Sequence, residues 1–215
     1  MNDTSDRAAV RLTTRCDDRC SFCGQHGVEE CDEPSWREAL TGARASSDEV
    51  SFVGGEPSLC DDLAPAVAAA RALGFRAIGV QTHGRHLHGA RLEALVAAGL
   101  TDAQIGLHGA RADVHDYHCG TEGGFVAVRT AIAELRGHSI TVVVDTMLTR
   151  SSFRVLGELP PLLLALGVAA WRVNVPHVAG SAALAFDRVI PRLALALPFA
   201  LHALDRAHRS GIAVA

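Results

Sequence analysis

The chain has 215 residues, 48% of them hydrophobic and 20% charged, with a net charge of −4. That composition supports a packed core and excludes a wholly disordered chain. All 20 basic residues are arginine, and an acidic chain without a broad basic face disfavours a nucleic-acid partner.

Strands and helices alternate along the chain. Residues 8–13 read as a short strand and 34–45 as a helix with Pro34 near its start. A second strand, 49–53, ends at Gly54-Gly55, and an alanine-rich helix, 61–73, stops at Gly74. Strand 76–81 follows, then helix 90–98 closed by Gly99, strand 103–107, and helix 124–136 closed by Gly137. Strand 140–147 leads to helical composition over 153–166, bent or split at Pro160-Pro161. Strand 169–175 precedes a last helix, 189–209, kinked at Pro198, and Gly211 opens a short apolar tail. The leucine-rich stretches 162–166 and 193–197 are expected to pack on the sheet. Six βα units in order predict an α/β fold, a partial (β/α)6 barrel with a parallel sheet. Ligands then collect at the C-terminal ends of the strands.

The N-terminal residues have no apolar run of the signal-peptide kind, and no uninterrupted apolar stretch reaches the length of a membrane span. The six cysteines stand at positions 16, 20, 23, 31, 60 and 119, three clustered and three dispersed, unlike a secreted disulfide scaffold. A reducing, cytoplasmic setting is expected. Cys31, Cys60 and Cys119 are too dispersed for a second cluster, and at least some are expected to be buried, inert thiols.

Two strand ends carry chemistry. After the first strand comes Cys16-Asp-Asp-Arg-Cys20-Ser-Phe-Cys23. Three thiolates in one loop select zinc, copper(I) or an iron–sulfur cluster. With His26 as a fourth donor they would suit a structural zinc site, giving a zinc-stabilised binding or regulatory protein. A cubane cluster held by three cysteines instead leaves one iron open. After the second strand comes Gly54-Gly55-Glu56-Pro57, where paired glycines permit close approach to the backbone and the glutamate can accept hydrogen bonds from an ammonium group.

Together, CxxxCxΦC and GGEP resemble the radical S-adenosylmethionine (SAM) superfamily. The resemblance implies that Cys16, Cys20 and Cys23 ligate a [4Fe-4S] cluster whose fourth iron chelates the methionine amino and carboxylate groups of SAM. It implies that Phe22 lies near the adenine and that Gly54, Gly55, Glu56 and Pro57 contact the methionine amino group. Val80-Gln-Thr82-His-Gly84 is similar to the family's T-N-G segment, with His83 in place of asparagine, and assigns Thr82 to the cofactor site. Gly106-Leu-His-Gly109, His115-Asp116 and Gly120 to Phe125 resemble an S-L-H-G…H-D…G-S-F stretch, and Thr146 to Arg150 resembles a segment whose arginine reaches the SAM carboxylate. The implied enzyme reductively cleaves SAM to a 5′-deoxyadenosyl radical that abstracts hydrogen from a small-molecule or peptide substrate. An external electron donor such as flavodoxin or ferredoxin is implied.

His108 is expected to line the pocket, and His115 with Asp116 to form a hydrogen-bonded pair shaping the next loop. Asp145, inside an apolar strand, faces either SAM and substrate or an arginine partner; His108 and Asp145 are the candidate catalytic residues. The chain reads as a single core domain over 1–215. Related chains continue past the sixth unit with elements that close the barrel, so a partner chain completing the site is also considered.

Overall fold

The computed structural model describes residues 7–26 and 35–215. Seven strands form one sheet in sequence order, every neighbouring pair parallel: β1 (Ala8–Thr13), β2 (Glu49–Gly54), β3 (Ala77–Thr82), β4 (Asp102–Gly106), β5 (Thr141–Met147), β6 (Ala170–Asn174) and β7 (Ala213–Val214). The apolar tail after Gly211 is thus the seventh strand, whose two residues pair with Ala170 and Trp171. β1 and β7 are the edges of an open sheet.

The helices are α1 (Trp36–Arg44), α2 (Leu63–Ala72), α3 (Gly89–Ala98), α4 (Ala112–Cys119), α5 (Gly124–Gly137), α6 (Leu159–Leu166), α7 (Gly180–Leu184), α8 (Phe186–Val189) and α9 (Leu193–Arg209). α1 starts on a capping box, Ser35 and Glu38 each satisfying the other's backbone N–H. Pro34 and Cys31 lie outside the described residues. Helix α4 has no counterpart in the sequence reading; its polar run ADVHDYHC carries no apolar stripe. Residues Phe153–Glu158 form a 3-10 turn, and Pro160-Pro161 sit in the first turn of α6, where missing N–H groups cost nothing. The final helix begins at Leu193 rather than residue 189, because the short α7 and α8 occupy the preceding segment.

Strand alternation divides the sheet into two chemistries. Val50, Phe52, Ile78, Val80, Ala103, Ile105, Val142, Val144 and Trp171 are at most 2% exposed and meet the helices in one core. From α5 the core takes Phe125, Val128, Ala131, Ile132 and Leu135, a helical stripe. The opposite face carries Ser51, Gln81, Gln104, Asp145, Arg172 and Asn174, so the concave side is polar.

The leucines of 193–197 do not pack on the sheet. α9 seats itself through Ala196, Ala200, Ala203 and Ala207, while Leu193, Leu195 and Leu197 are 44–55% exposed. Leu163 of the other leucine-rich stretch is fully buried and Leu164 is exposed. Among the described residues, no helix is long and apolar enough to cross a membrane.

Candidate active site

The cysteine loop leaves the C-terminal end of β1 and is held from three sides. Gly55 N–H donates to the Thr13 carbonyl (2.8 Å) and Glu56 N–H to the Arg15 carbonyl (2.7 Å), extending the β1–β2 pairing past the strand ends. Arg19 and Ser21 N–H donate to the Cys119 (2.9 Å) and His118 (3.1 Å) carbonyls at the end of α4. The Cys23 carbonyl accepts from Ser181 N–H (2.9 Å) in α7. The close backbone approach read from the paired glycines is therefore made, in this structure, to the chain's own residues 13–15.

Electrostatics adds a fourth tether. Asp17 accepts from His83 Nε2 (2.8 Å) and His86 Nε2 (2.9 Å) and pairs with Arg85 (2.8 Å). Asp18 pairs with the same guanidinium (2.7 Å) and accepts from the Thr121 hydroxyl (2.8 Å). Burial would push the Asp17 carboxyl up, but the bonds from His83 and His86 and the charges of His83 and Arg85 hold it well below the usual range. His83 is thus a clamp between the loops after β1 and β3. The acidic pair inside the cysteine motif was the one sequence signal for this network, and nothing in the sequence named its partners.

Glu56 is 1% exposed. Its carboxylate accepts from Ser58 N–H (2.9 Å), the Thr82 hydroxyl (2.5 Å) and His83 N–H (2.8 Å), which places Thr82 next to Glu56. Pro57 is buried at the start of a 3-10 turn, Pro57–Leu59, that Glu56 caps. Phe22 is buried with Cys20, Met147, Ala182 and Val189, its ring edge-on to His108 with centroids 4.5 Å apart.

His108 follows β4 and is buried; its Nδ1 accepts from Met147 N–H (3.2 Å), and burial drives its pKa well below the usual value. The expected His115–Asp116 pair is not formed. Asp116 instead accepts from Gly123 and Phe125 N–H (2.8 Å each) at the start of α5. His115 Nδ1 accepts from His108 N–H (3.1 Å), and its Nε2 lies 3.5 Å from Cys119 Sγ. Asp145 faces the concavity and an arginine at once, because Arg172 donates to it through two nitrogens (2.6 and 2.7 Å) from the same face of β6. Arg150 is exposed and donates to the Asp187 carbonyl (2.5 Å).

Burial lowers the His115 pKa to about 4 against the nearby carboxylates of Asp116 and Asp18, with Arg85 adding to the depression. Its folded pKa lies below the unfolded 6.5, so the unfolded chain binds more protons between those values and stability falls as pH drops from 6.5 toward 4. Denaturant unfolding at pH 7.5, 6 and 5 should show this loss, amounting to about 2 kcal/mol by pH 5. His115→Gln should make the profile shallower, the depressed His108 still contributing its own slope; an equally steep profile in the variant would remove His115 from the explanation.

Among the described residues, Cys16, Cys20, Cys23 and His26 are not gathered as the four ligands of one ion would be. Tetrahedral zinc at 2.3 Å from each sulfur needs ligands roughly 3.8 Å apart. Among the described residues, the ligand atoms gathered within 4.8 Å are those of Cys16, Asp17 and His83, and of Asp18, Cys20 and Cys119; Cys16, Cys20, Cys23 and His26 form no such group. Cys16 is exposed, and Cys20 and Cys23 are half-buried. Burial first, and the negative charges of Asp18 and Glu56 after it, push the free Cys16 thiol up to about 11, so without a bound cation it stays protonated near neutral pH.

A family model for the radical SAM superfamily matches residues 10–150, which carry the cysteine loop, GGEP and strands β2–β5. The chain belongs to the radical SAM superfamily. A PqqA peptide cyclase of Ruegeria pomeroyi is 32% identical over 164 residues, covering 74% of this chain and 44% of the cyclase. A second PqqA peptide cyclase, from Rhodopseudomonas palustris, is 30% identical over 175 residues, covering 79% of this chain and 46% of its own. The radical SAM fold is matched by the crystal structure of Streptococcus suis SuiB bound to S-adenosylmethionine, at TM-score 0.77 and 15% identity over 98% of this chain and 51% of SuiB. The open seven-stranded sheet is thus a radical SAM partial barrel, and the chain spans about half the length of the relatives it matches.

Proposed function

We propose that this chain is the SAM-cleaving core of a radical enzyme that modifies a peptide. The observation that carries the reading is the placement of Cys16, Cys20 and Cys23 in a loop whose entry, Thr13 to Arg15, accepts hydrogen bonds from Gly55 and Glu56 N–H at the neighbouring strand end. Cys16, Cys20 and Cys23 would hold a [4Fe-4S] cluster, which when bound supplies one electron to the SAM sulfonium and so yields the 5′-deoxyadenosyl radical.

The protein's own residues do the rest. Gly54, Gly55 and Pro57 fix the GGEP turn, and Thr82 and His83 aim Glu56, the carboxylate proposed to hold the methionine ammonium. Phe22, edge-on to His108, offers an apolar wall for the adenine. Arg150 reaches a SAM carboxylate by exchanging its bond to the Asp187 carbonyl. Asp145, paired with Arg172 in the polar concavity, positions substrate and is the candidate to meet it. The exposed Cys16 gives an external donor of the flavodoxin or ferredoxin kind an approach to the cluster. The open sheet edge leaves room for a peptide, the substrate class in the names of the cyclase relatives. Cluster chemistry of this kind suits a reducing cytoplasm. The single-core reading of 1–215, completed by further elements or a partner chain, is part of the same proposal.

Anaerobic reconstitution with iron and sulfide should give a brown protein with about four irons. With SAM and dithionite it should form 5′-deoxyadenosine, and the triple variant Cys16→Ala/Cys20→Ala/Cys23→Ala should lose both properties. A colourless protein with one zinc and no 5′-deoxyadenosine would overturn the reading in favour of a zinc-stabilised binding module.

A further inference from the structure

Cys119 closes helix α4 and is 3% exposed. The backbone pairing of residues 19 and 21 with 119 and 118 brings its side chain to the cysteine loop. Its Sγ lies within 4.8 Å of Cys20 Sγ and of the Asp18 carboxylate. The three-cysteine motif does not use this fourth sulfur.

The hydrogen bonds around Cys119 fix which way its proton points. His108 N–H donates to His115 Nδ1, so that nitrogen carries a lone pair and the ring proton of a neutral His115 sits on Nε2. His115 Nε2 is the atom facing Cys119 Sγ at 3.5 Å, so the imidazole donates and the sulfur accepts. The S–H of Cys119 is then free to donate in turn. Of its two possible acceptors, Asp18 is already engaged by Arg85 and Thr121. Cys20 is the acceptor that becomes a thiolate on binding iron and gains further negative charge when a cluster is reduced.

We propose that Cys119 is a positioning residue for the cluster: its thiol, oriented by His115, donates a hydrogen bond to the Cys20 thiolate and raises the reduction potential. The inference rests on the cluster assignment made above. A donor to a cluster sulfur stabilises the reduced, more negative state more than the oxidised one. Cys119 makes no bond to iron in this arrangement.

The test is a redox titration of the reconstituted full chain, followed by the electron paramagnetic resonance signal of the reduced cluster, beside iron counts. Cys119→Ala should keep the wild-type iron content. At a fixed solution potential, its ratio of reduced to oxidised cluster should fall about tenfold, equal to roughly 60 mV for one electron. Cys119→Ser, which keeps a donor, should fall between the two. His115→Leu should shift in the same direction as Cys119→Ala, through loss of the orienting bond. Coincident potentials in all four proteins would overturn the inference while the iron count upheld the cluster assignment. A drop in iron in Cys119→Ala would overturn it differently, by making Cys119 a ligand. Failure of the wild-type chain to bind four irons would remove the cluster assignment itself, and the inference with it.

Discussion

Gly55→Ala is expected to unfold the protein about 10 °C below wild type and to leave less than half the iron in the reconstituted chain. A Cβ at this position would stand 2.4 Å from both the Thr14 and Arg15 carbonyl oxygens and 2.7 Å from the Arg15 carbonyl carbon. These are backbone atoms, and they cannot retreat without breaking the bonds from Gly55 N–H to Thr13 and from Glu56 N–H to Arg15. Relief by displacing the start of the cysteine loop costs about 2–3 kcal/mol and moves Cys16 with it. Gly42→Ala is the control. Nothing lies within 4 Å of its Cβ, it sits inside α1, and alanine there should be neutral or stabilise by up to about 1 kcal/mol. Calorimetry and iron analysis of the two variants check the contrast. A Gly55→Ala protein with wild-type melting and iron would show that the GGEP turn does not hold the cysteine loop.

Glu56 should give the second large effect, and two substitutions separate its two duties. Glu56→Ala strands the Ser58 and His83 N–H groups and the Thr82 hydroxyl around a buried carboxylate position. Each orphaned donor costs about 1 kcal/mol or more, so destabilisation of about 3 kcal/mol is expected together with loss of SAM binding. Glu56→Gln keeps the shape and one acceptor oxygen but removes the charge that would meet an ammonium. Its stability should lie closer to wild type, while SAM affinity of the reconstituted protein falls at least tenfold, as expected for a lost charge-assisted bond. Equilibrium binding of SAM under anaerobic conditions measures this directly. Unchanged affinity in Glu56→Gln would make Glu56 a purely structural residue that braces the loops after β2 and β3.

Much of this was legible in the sequence, for identifiable reasons. The strands were readable because apolar runs between glycine-closed helices leave few alternatives, and the cysteine and GGEP motifs are local, so their spacing survives without any tertiary information. Long-range and short features were not. β7 has two residues and is a strand only because β6 offers it an edge. Helix α4 has buried histidines in place of an apolar stripe. The leucines of α9 suggested a packing face, yet alanines make it, since small side chains let a helix approach its neighbours closely. Asp145 shows the same limit: its strand was readable, but its bidentate partner is set by the β5–β6 register, pairing residues 145 and 172. Cys119 is buried, as at least some of the dispersed cysteines are expected to be, and its position in the chain says nothing of its closeness to Cys20.

The three-sided support of the cysteine loop has a consequence for how the protein is made. Cys16, Cys20 and Cys23 leave the ribosome early, whereas residues 118–119 and 181, which hold the loop, follow far behind. At ordinary elongation rates of about 5–20 residues per second, the last support arrives on the order of ten seconds or more after the third cysteine. During that interval the thiols hang on a tethered but unshaped segment, open to oxidation and to adventitious zinc. On the proposed cluster assignment, loading with iron and sulfide would therefore follow synthesis, on the folded sheet. Oxygen-poor expression should accordingly raise the fraction of chains that still hold three reduced cysteines when the loop finally takes its shape.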